Sequence, residues 1–214
     1  AGGWAAACGP RWRGSSASQP SRCWWLELWF RSCERWARCQ ASATEMSPAG
    51  PDATVVLSDD GAPSDNVSQI DGAFEITTFT NPTASLTIND GTGAKVITVN
   101  GLDAMFSADL TIQEDDAVED NSVTFATALD TNGGNLTVES QDIAVNASIT
   151  TDGGNVDFDA TTGMVTSMLG ADIDTTAADD SGTASGFVNI TADTGVNLAG
   201  NISTDGADHS IAAA

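Results

Sequence analysis

The chain has 214 residues, with 7 Lys and Arg against 30 Asp and Glu, a net charge of −23, one His and no Tyr. A chain this acidic cannot neutralise a phosphate backbone, which excludes nucleic acid as a partner, and it is repelled by anionic lipid. Its length suits one domain with a real core.

The first stretch differs from the rest. All six Trp, all four Cys and all six Arg fall within residues 4–39, where Glu27 and Glu34 leave a balance of +4. Beyond Cys39, Lys95 faces 28 carboxylates, a balance of −27, and the two parts together give the −23. Residues 1–45 are therefore read as a non-domain segment, either disordered or one short helix. The helix reading rests on Trp25, Leu28, Trp29 and Trp36 sharing a face, with Glu27–Arg31 and Glu34–Arg38 as i,i+4 pairs and Ser21 as the cap. The alternative is spurious translation of GC-rich DNA, whose alphabet of Trp, Arg, Cys, Gly, Ala, Pro and Ser this stretch uses. On either reading, removing 1–45 is expected to leave the remainder folded. Cys8, Cys23, Cys33 and Cys39 lack C-x-x-C spacing, and His209 is remote, so the pattern of a zinc site is missing. The apolar run at 23–30 is interrupted by Glu27 and does not read as a signal peptide. No stretch approaches the roughly 18–20 apolar residues of a membrane span, so no membrane insertion is expected.

Residues 46–66, rich in Pro, Gly, Ser and Asp, read as a linker. From residue 67 to 214 the chain is strand-like, with Val, Ile, Thr and Phe in short alternating runs broken by Gly, Asn and Asp. Strands are predicted at 85–88, 96–99 and 108–112. Downstream, Leu129, Ile149, Ile173 and Ile202 open units of 20, 24 and 29 residues. Each unit runs from an apolar residue through a Thr/Asp/Gly turn to a strand with two inward residues: Leu136 and Val138, Val156 and Phe158, Val188 and Ile190. A second short strand follows, carrying Ile143 and Val145, then Val165, then Val196 and Leu198. The extra length of the third unit falls in a loop-like stretch at 177–186.

Alternation turns Asn155, Asp157 and Asp159 to the face opposite Val156 and Phe158. One unit cannot bury its apolar face alone, whereas stacked copies can. Every unit starts in the same sense, so the stacked strands must be parallel. The predicted fold is all-β, a right-handed parallel β-helix (β-solenoid), incomplete at its C-terminal end. Two packed antiparallel sheets are the competing architecture.

The stretches ITTDGGNVDFDA and NLTVESQDIAVNASITTDGG resemble repeats of large secreted bacterial adhesins of the filamentous-haemagglutinin-like β-helix kind. NPTASLTINDGTGAKVITVNGLDAMFSADLTI resembles segments of giant bacterial surface proteins whose repeats sit near calcium-binding nonapeptides. The resemblance covers about residues 74–211. It implies a secreted or cell-surface location, a rod-like shape and a role in adhesion or matrix. The chain departs from the nonapeptide at DGTGAKVI, where Lys95 stands in place of the liganding Asp and Asp90 in place of the first Gly. A cation there repels calcium.

Two chemistries remain as candidates. Glu114, Asp115, Asp116, Glu119 and Asp120 form the densest acidic stretch and could supply a calcium loop, with a solvated loop as the plainer alternative. No other cofactor is expected. Asp157 and Asp159 share a strand face at roughly 6.6–7 Å, a spacing compatible with glycoside hydrolysis but found wherever polar residues alternate. With only Lys95 as a cation in the body, a lyase-type base and clamp are missing, so the chain is expected not to be an enzyme. The leading expectation is a non-enzymatic structural or adhesion module of a large secreted or surface protein, meeting a surface glycan or protein. A carbohydrate-active β-helix using paired Asp is the first alternative, and a calcium-dependent matrix module the second.

Overall fold

A computed structural model describes residues 43–47, 53–72, 76–89, 93–113, 120–177 and 184–213. The described chain is all-β, with no helix, and its strands lie in three sheets. β1 (Ala43–Met46) lies in the first sheet and β2 (Ala53–Asp59) in the second. β3 (Val67–Asp71) and β4 (Thr77–Thr80) extend the second sheet as an antiparallel hairpin. β5 (Ser85–Asn89) and β6 (Lys95–Asn100) return to the first and second sheets.

The order then becomes regular. β7 (Asp109–Gln113), β8 (Ser122–Phe125) and β9 (Leu129–Asp130) visit the first, second and third sheets in turn. β10 (Leu136–Ser140), β11 (Asp142–Val145) and β12 (Ile149–Thr150) repeat that circuit. So do β13 (Val156–Ala160), β14 (Met164–Ser167) and β15 (Ile173–Asp174), and then β16 (Val188–Ala192), β17 (Gly195–Asn197) and β18 (Ile202–Ser203). β19 (His209–Ala213) closes the series in the first sheet. Apart from the β3–β4 hairpin and its contact with β2, the strand pairs are parallel. The arrangement is compatible with a solenoid of stacked tiers.

Register explains the core. Leu129, Ile149, Ile173 and Ile202 are partners across the third sheet, and Leu136, Val156 and Val188 across the first. The inward residues Val138, Phe158 and Ile190 form the next row, all buried. Phe158 meets Phe125 of the second sheet in a stacked pair with centroids 5.8 Å apart, tying opposite walls together.

The corner between the third and first sheets occurs four times, beginning at Thr131, Thr151, Thr175 and Thr204, and draws on two shared parts. Asn132–Gly133, Asp152–Gly153 and Asp205–Gly206 all have positive φ, which Asn, Asp and Gly tolerate best. Buried Thr131, Thr151 and Thr175 donate their hydroxyls to the carbonyls of Gly134, Gly154 and Gly186. A Cβ at Gly154 or Gly186 would strike the carbonyl of Gly134 or Gly154 in the tier beneath, so the second glycine of the motif is required by contact between backbones.

Two segment boundaries differ from expectation. The stretch 46–66 holds β2, whose Val55 and Leu57 are fully buried and whose partner is β6. Its flanks supply the Pro, Gly and Asp that dominate the composition, while the short run at 54–58 supplies the core residues. Residues 43–45, assigned to the leading segment, belong to β1 and pair with Ser85–Thr87. A truncation that removes 1–45 therefore takes most of a strand with it. The helix or disordered segment expected earlier in the chain lies outside the described residues.

Candidate functional site

The parallel register sorts the outward side chains into rows roughly 4.8 Å apart along the stack. On the first sheet one row runs Glu45, Thr87, Thr111, Thr137, Asp157, Asn189 and Ser210. The next holds Glu139, Asp159, Thr191 and Ala212. These side chains bond to one another between tiers. Asn189 Nδ2 donates to Asp157 Oδ1 at 2.9 Å, and Thr191 Oγ1 donates to Asp159 Oδ1 at 2.9 Å. At the edge of this face Asp109 Oδ1 accepts the backbone N–H and Nδ2 of Asn135. Asn135 Oδ1 accepts the N–H of Asn155, whose Oδ1 accepts the N–H of Phe187. Phe187 cannot extend that ladder.

Asp157 and Asp159 therefore sit where alternation puts them, and Glu139 is the further carboxylate that a neighbouring tier brings beside Asp159. Their surroundings are open. A shallow depression of about 360 Å³ lies at one end of this face, lined by Asp159, Thr161, Thr191 and Asp193 among others.

A second acidic cluster lies at the third sheet: Asp130 and Asp174 flank Thr150 in one row, and Asp152 stands beside them in the turn that follows β12. The Asp152 carboxyl is held above the ordinary value of 3.8, first by burial and then by the charges of Asp130 and Asp174. Asp130 and Asp174 also accept N–H groups from their own turns, at Asn132 and Thr176.

The outer face of the second sheet is different in kind. Its rows run Thr54, Val96, Ser122 and Asp142, and beside them Val56, Thr98, Thr124, Ala144, Thr166 and Asn197. Across β6, β8, β11, β14 and β17 the only outward carboxylate is Asp142, which is engaged by the N–H of Met164 at 2.9 Å. Val96 and Met164 are 45% and 39% exposed, flanking a band of threonines. In a chain of net charge −23 these five strands carry a single outward carboxylate, with Asp71 of β3 joining the face beyond Val56. Sequence reasoning missed it. Its uncharged outward positions are readable strand by strand, but the pairing that makes them one surface is not.

Of the expected calcium loop, Glu114, Asp115, Asp116 and Glu119 lie outside the described residues, and Asp120 is exposed just ahead of β8. Lys95 is fully buried; its Nζ donates to the Gly93 carbonyl at 2.9 Å and its N–H to Asn121 Oδ1 at 2.6 Å. Among the described residues no group of three or more His, Cys, Asp or Glu is placed to hold a metal ion, and no helix is long and apolar enough to cross a membrane. No family model, curated protein or solved structure matches the chain.

Proposed function

We propose that the chain is a right-handed β-solenoid serving as a non-enzymatic display or adhesion module of a secreted or surface protein, with the outer face of the second sheet as its contact surface. Right-handedness is the rule for crossovers between parallel strands of one sheet. The observation that carries the reading is the contrast of faces: carboxylates on the first and third sheets, and a nearly neutral band of Thr, Val, Ala and Met on the second. The acidic faces keep copies apart and soluble, while the neutral face can desolvate at low electrostatic cost. Its partner is an uncharged surface, a neutral glycan or an uncharged protein face.

Retention on insoluble cellulose and chitin and on a neutral glycan array tests this. Thr124→Glu and Thr98→Glu are expected to abolish retention, and Thr137→Lys on the first sheet to leave it intact. Loss in the first-sheet variant alone overturns the assignment of the face.

A second reading keeps Asp157 and Asp159 as a hydrolytic pair, favoured by Glu139 lying in register beside Asp159. Release of reducing ends from a polysaccharide panel, lost in Asp159→Asn, would replace the first reading with this one.

A further inference from the structure

The β3–β4 hairpin is the one place among the described residues where strands run antiparallel. It lies at the far edge of the second sheet, beyond β2. Without the hairpin, β2 would be a hazardous edge strand. Its residues Thr54, Val55, Val56 and Leu57 have high β propensity, and its outward positions Thr54, Val56 and Ser58 carry no charge to deter another strand. β3 satisfies that edge, pairing Leu57 with Ile70 and Ser58 with Gln69, and Gln69 Nε2 reaches Ser58 Oγ at 3.1 Å.

One buried carboxylate holds both feet of the hairpin. Asp103, 1% exposed in the connection between β6 and β7, accepts the N–H of Asp65 on Oδ2 and the N–H of Asn66 on Oδ1, both at 3.1 Å. These residues precede β3. The same Oδ1 accepts Nδ2 of Asn81, just after β4, at 3.3 Å, and the N–H of Met105 at 2.9 Å. Buried Ser68 completes the knot, donating to Asn81 Oδ1 at 2.7 Å and accepting the N–H of Asp103 at 3.3 Å. The hairpin's apolar contribution to the core is modest, chiefly Ile70 and half-buried Phe79, so polar bonds carry much of its attachment.

We infer that the hairpin is an edge guard. It fills the antiparallel pairing edge of β2, which otherwise takes β2 of a second copy, and Asp103 is the positioning residue that keeps it seated. A β2–β2 pair preserves the antiparallel sense of β2–β3 and closes as a two-fold dimer.

Asp103→Ala tests this in the full chain, by hydrogen exchange and by sedimentation at high salt, which screens repulsion between copies. Amides of β3 and β4 are expected to exchange about tenfold faster or more, with β10, β13 and β16 unchanged, and the mass to double with concentration. Adding Thr54→Lys and Val56→Lys, which charge the β2 edge, is expected to restore the monomer. A loosened hairpin with a monomer at every concentration overturns the proposal, as does association that survives the lysines. Unchanged exchange overturns the role of Asp103. If Asp103→Ala fails to fold, Phe79→Pro removes the β4 N–H that faces Ser68 of β3 without touching the carboxylate, and the same outcomes decide.

Discussion

The tiers from Leu129 to Ala192 and those before Gln113 share the first and second sheets but are fastened differently. The later tiers repeat one set of small devices: an aliphatic row, a buried Thr hydroxyl on a Gly carbonyl, and a backbone contact at glycine. The earlier ones rely on single polar groups without counterparts elsewhere: buried Lys95, Asn121 under its N–H, and Asp103 beneath the hairpin. Repetition lets each tier lean on its neighbours, whereas one-off polar knots concentrate stability in a few atoms. Among the described residues no identical tier flanks the β1 side, and these one-off knots are found there.

The contrast can be broken most forcefully from the repeated side. Phe158→Ala removes a fully buried ring stacked on Phe125, and a loss of about 3–5 kcal/mol is expected in denaturant unfolding. Gly154→Ala drives a methyl into the Gly134 carbonyl and is expected to cost about 1–3 kcal/mol, against almost nothing at Gly61, where a Cβ meets no atom, beyond the strain of its positive φ. Next come matched deletions of one acceptor or donor in each region. Asn121→Ala orphans the buried N–H of Lys95 and Thr151→Val orphans the Gly154 carbonyl, each at about 1–2 kcal/mol. If the knots concentrate stability, hydrogen exchange after Asn121→Ala rises over β6 and β8 only, while Thr151→Val spreads into β10 and β16.

The smallest effect has the opposite sign. Because the Asp152 carboxyl is raised in the folded state, folded protein binds more protons than unfolded protein between 3.8 and that raised value. Stability contributed by this group therefore grows as pH falls through the raised value, and is absent at neutral pH. Asp152→Asn keeps a residue suited to positive φ, as Asn132 is at the matching turn, and removes the repulsion from Asp130 and Asp174. A gain of a few tenths of a kcal/mol is expected at neutral pH after solvent screening, shrinking as the buffer is acidified. Denaturant midpoints at two pH values check it.

Much of the wall was legible in the sequence. Strict alternation put Val156 and Phe158 inward, and the spacing from Leu129 to Ile202 put those residues in one row, where the register has them. The same logic named Asp157 and Asp159 as outward residues, without giving their bonds to Asn189 and Thr191, which depend on which strands are neighbours. β2 was hidden because Pro, Gly and Asp on both flanks outweighed seven residues of strand. The hairpin and its carboxylate were illegible for a different reason: Asp103 and Asn66 lie 37 residues apart, and no local pattern announces a contact that occurs once. The neutral face was present in single strands and became a surface only through pairing.

The Thr175 hydroxyl closes on Gly186 across eleven positions, where Thr131 and Thr151 close on glycines three positions away. The same clasp thus spans either two intervening residues or ten. Above and below it the neighbours are unchanged: Thr175 N–H still bonds the Ser203 carbonyl, and Val156 N–H the Phe187 carbonyl. The corner is a socket with a fixed footprint. Sequence can be added between its Thr and its Gly without shifting the tiers on either side, so this protein's wall and whatever it carries outward can change independently.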